Sequence, residues 1–146
     1  MTPDVNVLVA ASRADHPHHA TALAWLTDAL TRAGTHADLK LLGSVVASFL
    51  RLVTHPRVFL VPTPTNQAIA FIDGILASPG AAMLATQDEW PKLRMLCLDH
   101  NLSANDLPDA WIAASVLQLQ EVLATFDRDF IRLLPSKRLQ LLKPAL

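Results

Sequence analysis

The chain has 146 residues, 51% of them hydrophobic, enough for one core of ordinary size, so a single domain spanning residues 1–146 is expected. Its 12 Lys+Arg stand against 13 Asp+Glu, so bulk charge does not advertise a nucleic-acid partner and any such role needs local clustering. Cys97 is the only cysteine, which excludes an internal disulfide and a multi-cysteine zinc site and fits a reducing compartment. The start Met1-Thr2-Pro3-Asp4 lacks a signal-peptide pattern, and no apolar run approaches the ~18 residues of a membrane span, so a soluble cytoplasmic protein is expected.

Val5 to Ala10, short and rich in β-branched residues, reads as a buried strand. Asp15-His16-Pro17 signals a helix start, followed by apolar residues from Ala20 to Leu30 at near-helical spacing, with Gly34 as the stop. Leu39 to Leu42 is a second short apolar run. A helical pattern then begins at Ser44 and stops at His55-Pro56. Thr63-Pro64-Thr65 caps a third helix through about Leu76, ended by Ser78-Pro79-Gly80. Ala82 to Leu84 reads as a strand, Asp88 to Leu98 as a helix, and Pro108 to about Leu119 as another. Val122 to Phe126 and Leu139 to Leu142 complete the set as strands. Strand and helix alternating in this way predict an α/β fold, a mostly parallel sheet covered by helices on both faces. Ligands bind such sheets beyond the carboxyl ends of the strands.

Four acidic residues lie at the edges of apolar runs: Asp4, Asp109, Asp127 and Asp129. Two carboxylates roughly 4 Å apart repel by about 4 kcal/mol at an effective dielectric near 20, so a cluster of them requires protons or a cation. Asp4 alone reads equally well as an ordinary strand edge. At period 2, however, Asn6 shares its face, and two polar side chains on a buried strand need partners. Asp109 suits a first helical turn, where the dipole favours an acid, with Asn105 or Asp106 as cap. Ile112, Ala113 and Val116 follow it at helical spacing, which puts its carboxylate on the stripe that faces the sheet. Asp127 and Asp129 follow a strand end, where Asp127 is the better ligand candidate and Thr125 is placed to hydrogen-bond within the site.

Competing motifs are thin. Gly34, Gly43, Gly74 and Gly80 form no Gly-x-Gly loop for phosphates, and there is no Gly-x-Ser-x-Gly elbow. His16, His18 and His19 beside Pro17 read as solvated surface rather than a metal site. Trp25, Trp90 and Trp111 read as core or interface residues. Arg51 and Arg57 flank a helix end and suit contact with phosphates. A phosphatase using Asp4 as nucleophile needs a second Asp two residues on, where this chain has Asn6.

At these residues the chain resembles the PIN-domain ribonucleases of the VapC toxin type. The resemblance rests on Asp4-Val5-Asn6-Val7-Leu8-Val9-Ala10 with Asp15-His16-Pro17-His18-His19 downstream, and on Phe49-Leu50-Arg51 through Arg57-Val58-Phe59. It continues in Pro108-Asp109-Ala110-Trp111 and Thr125-Phe126-Asp127-Arg128-Asp129-Phe130. It implies a PIN-like three-layer α/β/α sandwich and a Mg²⁺-dependent endoribonuclease, with Mn²⁺ a possible substitute. Asp4, Asp109 and Asp127 would be the catalytic metal ligands, and Asn6, Thr125 and Asp129 orienting groups. Arg51 and Arg57 would contact RNA. It implies homodimerisation and inhibition by a cognate VapB-like antitoxin. Many members carry a Glu where this chain has Val46-Ala47-Ser48. That departure supports an alternative, a catalytically weakened module that binds RNA or protein without cutting.

Overall fold

A computed structural model of the chain describes residues 1–32, 38–85 and 88–144. In chain order the elements are β1 (Thr2–Pro3), α1 (Val5–Ser12), α2 (His19–Arg32), β2 (Leu39–Leu42), α3 (Gly43–Val53), α4 (Thr65–Leu76), β3 (Ala81–Leu84), α5 (Trp90–His100), α6 (Leu107–Gln118), β4 (Leu123–Thr125) and β5 (Leu139–Leu141). Every strand pair is parallel, β1 with β4, β4 with β5 and β2 with β3. The two ladders meet where the Lys40 amide donates to the Met1 carbonyl at 2.8 Å and the Met1 amine donates to the Asp38 carbonyl at 2.8 Å. The strands therefore lie in the order β3-β2-β1-β4-β5.

Leu123, Ala124 and Thr125 are each 0% exposed. Consecutive strand residues point to opposite faces, so this burial requires a layer on each side of the sheet. Helices supply both layers, and Leu8, Phe49, Val116 and Phe130 fill the core beside Leu41 and Leu123. The expected α/β sandwich with a parallel sheet is the observed one.

The first element differs from expectation. Val5 to Ser12 is a helix, not a strand, and the strand that precedes it is only two residues long. The cause is local. The Asp4 amide still bonds the Ala124 carbonyl of β4 at 2.9 Å, and its carboxylate then turns back to accept from the Val5 amide at 2.6 Å as an N-cap. Val7 to Ala11 are all buried. Five consecutive buried apolar residues show no 3.6-residue period, so such a run cannot be told from that of a buried strand.

Three smaller differences arise from caps. The second helix begins at His19, because Asp15 is held by Arg13 and His16 to His18 form turns. The fifth begins at Trp90 with Pro91 in its first turn, where a missing amide costs nothing. Asp106 sits at the N-cap position of α6, but its side chain closes a capping box with Ser103 on the preceding turn and pairs with Arg132. Gly34, the expected stop of α2, lies outside the described residues. Of the tryptophans, Trp25 is core, whereas Trp90 and Trp111 are 65% and 52% exposed and belong to no core.

Candidate active site

β1 and β4 run side by side and in parallel, so their carboxyl ends emerge together, and each strand leads directly into an acidic residue or segment. Asp4 comes immediately after β1, while Thr125 ends β4 and Asp127 comes two residues later. The first turn of α6 brings Asp109 to the same place. These three carboxylates line one cleft of about 430 Å³ together with Asn6, Ser48, Arg51 and His16.

Asp4 is almost fully buried and is fixed by three donors. The Thr125 hydroxyl donates to Oδ2 at 2.6 Å, Asn6 Nδ2 donates to the same oxygen at 3.0 Å, and the Val5 amide bonds Oδ1. Thr125 Oγ1 in turn accepts from the Asp127 amide at 2.9 Å and from Asn6 Nδ2 at 3.0 Å, so the hydroxyl has a partner for its proton and for its lone pairs. Asn6 Oδ1 accepts from the Phe126 amide at 3.3 Å, which sets the orientation of its amide. Asp127 Oδ1 accepts from the Asp129 amide at 2.8 Å and so holds its own loop. The expectation that Asn6 and Asp4 share a face was reached for a strand. The two do meet, because Asp4 is the cap of a helix in which Asn6 is the second residue.

The electrostatics are set by this crowding. Burial raises the proton affinity of Asp4, and the nearby Asp127 raises it further, while the bonds from Thr125, Val5 and Asn6 oppose the rise. Asp109 is pushed up to about 6, first by burial and then by the charges of Asp4, Asp127, Asp129 and Asp106. With only oxygen donors and an excess of negative charge, the set suits a hard divalent cation such as Mg²⁺ or Mn²⁺. Among the described residues no three His, Cys, Asp or Glu side chains already converge on one point. The three carboxylates line a shared cleft instead, and Mg²⁺ in general keeps several waters and takes one or two carboxylates directly.

The remaining candidates divide. Arg51 lines the cleft from α3, whereas Arg57 is exposed and outside it. Asp129 is exposed and acts on Asp109 only through its charge. No carboxylate stands on α3 in the cleft, where Ser48, Arg51 and Leu52 are the lining residues. Two features escaped the sequence reading. His16 lines the cleft. Arg13, buried at the end of α1, forks onto Asp15 at 3.0 and 2.7 Å and lies 3.8 Å over the ring of Phe59, another lining residue. The spacing Arg13-Ala14-Asp15 is the one signal that could have suggested this clamp.

A parallel sheet with carboxylates gathered beyond its carboxyl edge defines the class, an α/β domain with an acidic cleft at that edge. The sequence model of the PIN domain matches residues 1–133. Ribonuclease VapC25 of Mycobacterium tuberculosis is 38% identical over 136 residues, covering 88% of this chain and 89% of that protein. Ribonuclease VapC31 of the same species is 39% identical over 133 residues, with the same two coverages. A solved structure, VapBC2 from Rickettsia felis bound to a DNA fragment from their promoter, matches with a TM-score of 0.68 over 97% of this chain and 98% of that one. At 16% identity that likeness speaks for the fold alone. The chain belongs to the PIN-domain family, in its VapC branch.

Proposed function

We propose that this chain is the toxin of a type II toxin–antitoxin pair, a Mg²⁺-dependent endoribonuclease that hydrolyses RNA phosphodiester bonds. The observation that carries the reading is the meeting of Asp4, Asp109 and Asp127 in one cleft, with Asp109 pushed up to about 6. A carboxyl group held in that range binds a cation in place of the proton it would otherwise take up. The names of the relatives as ribonucleases give the substrate class.

Asp4, Asp109 and Asp127 would hold the cation. When bound, Mg²⁺ supplies positive charge for the phosphate in transit and lowers the proton affinity of an attacking water. The protein does the rest by position. Thr125 and Asn6 fix the Asp4 carboxylate, so little reorganisation is needed when charge develops. Arg51 draws the RNA backbone against the acidic wall. Further partners in this proposal are a VapB-like antitoxin and a second copy of the chain. The exposed apolar side chains Trp90, Leu98 and Trp111 supply area of the kind partners cover.

The rival reading, a module that binds RNA or protein without cutting, rests on the absence of a carboxylate on α3 beside the cleft, and the ribonuclease relatives do not favour it. Expression of the chain alone separates the two. Growth arrest by the wild type, relieved by Asp4→Asn, is the result expected of a nuclease. Soluble protein that arrests growth in neither form supports binding only.

A further inference from the structure

The proposed mechanism gives His16 no task, yet the residue lines the acidic cleft. Its two nitrogens are not equivalent. The His18 amide donates to His16 Nδ1 at 3.1 Å, closing a turn over Pro17. A backbone amide can only donate, so Nδ1 is the acceptor and the proton of the neutral ring sits on Nε2. Burial, together with the neighbouring His18, holds His16 below the usual histidine range, so the neutral ring is the form present near pH 7.

The turn that carries this ring is tied down at both ends. The His16 amide donates to the Arg13 carbonyl at 3.0 Å, and the His19 amide donates to the His16 carbonyl at 3.0 Å. Arg13 is itself locked on Asp15 and Phe59. His18 stacks on Phe126 with ring centroids 4.7 Å apart, and Phe126 joins Thr125 to Asp127. The turn that carries His16 is therefore held, through His18, against the strand end that leads into Asp127.

An anionic substrate entering this cleft meets carboxylates, which only accept. Asn6 has committed its amide to Asp4 and Thr125. Among the lining residues, the side chains with a donor left to offer are Arg51, Ser48 and, through Nε2–H, His16. We infer that His16 is a substrate-contacting residue whose Nε2–H donates a hydrogen bond to a phosphate oxygen of the bound RNA. The inference rests on the proposed ribonuclease activity and adds a residue to it.

The two ring nitrogens have different amide mimics. His16→Asn keeps an acceptor where Nδ1 is and so preserves the turn, but it removes the Nε2 donor. His16→Gln places an N–H near Nε2 and gives up the turn acceptor. Total bacterial RNA, incubated with purified full-length protein and Mg²⁺, is the probe, and thermal melting of each variant is recorded beside cleavage.

The Asn variant is expected to melt like the wild type and cut roughly 10- to 100-fold more slowly, the range for one hydrogen bond to a charged group. The Gln variant is expected to melt lower and to cut within a few-fold of the wild type. The opposite ordering, with cleavage tracking the turn rather than the donor, overturns the role of His16 and leaves the nuclease standing. A wild type that cuts no RNA overturns the nuclease reading itself, and this role with it.

Discussion

Replacement of Asp109 by Asn isolates the electrostatic cost stored in the cleft. The carboxyl rises from 3.8 to about 6 in the folded chain. Between those values the folded state binds more protons than the unfolded one, so stability falls as pH rises through that window and stays low above it. At about 1.4 kcal/mol per pH unit the full cost is about 3 kcal/mol. The side chain is only half-buried, and solvent screening reduces this to roughly 1–2 kcal/mol. Loss of the acid from the first turn of α6 forfeits roughly 0.5 kcal/mol of helix-dipole stabilisation, which is too small to change the sign. In EDTA at pH 7.5 the Asn variant should therefore melt higher than the wild type. Net of the dipole loss the gain is roughly 0.5–1.5 kcal/mol, about 1–6 °C at roughly 2–4 °C per kcal/mol, and it should vanish near pH 4. With Mg²⁺ at about 100 times its dissociation constant the wild type gains about 2.7 kcal/mol, and the order of the two proteins reverses. Thermal melting by circular dichroism across pH 4 to 8, with EDTA or with Mg²⁺, reads all of this. An Asn variant that melts lower in EDTA at pH 7.5, or a difference that ignores pH, would refute the reasoning.

Thr125→Val removes the buried hydroxyl that serves Asp4, Asn6 and Asp127 together, and stranding their partners should cost about 1–3 kcal/mol in urea unfolding and lower cleavage as well. Phe49→Ala, at a side chain fully buried between α3 and its neighbours, should cost about 3–5 kcal/mol by the same assay without touching the cleft. Arg51→Ala should weaken RNA binding and reduce the salt slope by about one, measured by fluorescence anisotropy in EDTA, whereas Arg57→Ala, outside the cleft, should do much less.

How much of this could be read from the sequence depended on the kind of signal. Helices α3, α4 and α6 carry start and stop residues, Pro64 before α4 and Pro108 in the first turn of α6 among them, and their bounds lay within a residue or two of the expected ones. Helix α1 carries only one cap, Asp4, and its five consecutive buried side chains, Val7 to Ala11, erase the period that would have identified it. The acidic positions were legible because carboxylates beside apolar runs are conspicuous. Their partners were less so. Thr125 touches Asp4 across 121 residues of chain, a meeting that only the parallel pairing of β1 with β4 brings about. His16 was hidden for another reason. A histidine beside proline reads as surface, and its standing in the cleft depends on Arg13, Phe59 and Phe126, which come from three separate parts of the chain.

The central claim is that Asp4, Asp109 and Asp127 hold a divalent cation at which RNA is cut. Its most direct test is cleavage of total bacterial RNA by the purified protein, wild type against Asp4→Asn, in Mg²⁺ and in excess EDTA. Asparagine keeps the cap bond from Val5 but sets an NH2 against the Thr125 and Asn6 donors, a cost of about 1–3 kcal/mol, so thermal melting is recorded beside cleavage to establish that the variant is folded. Cleavage confined to the wild type in Mg²⁺, with a loss of roughly 100-fold or more in the variant, is the predicted result. Cleavage that persists undiminished in EDTA or in Asp4→Asn would contradict it.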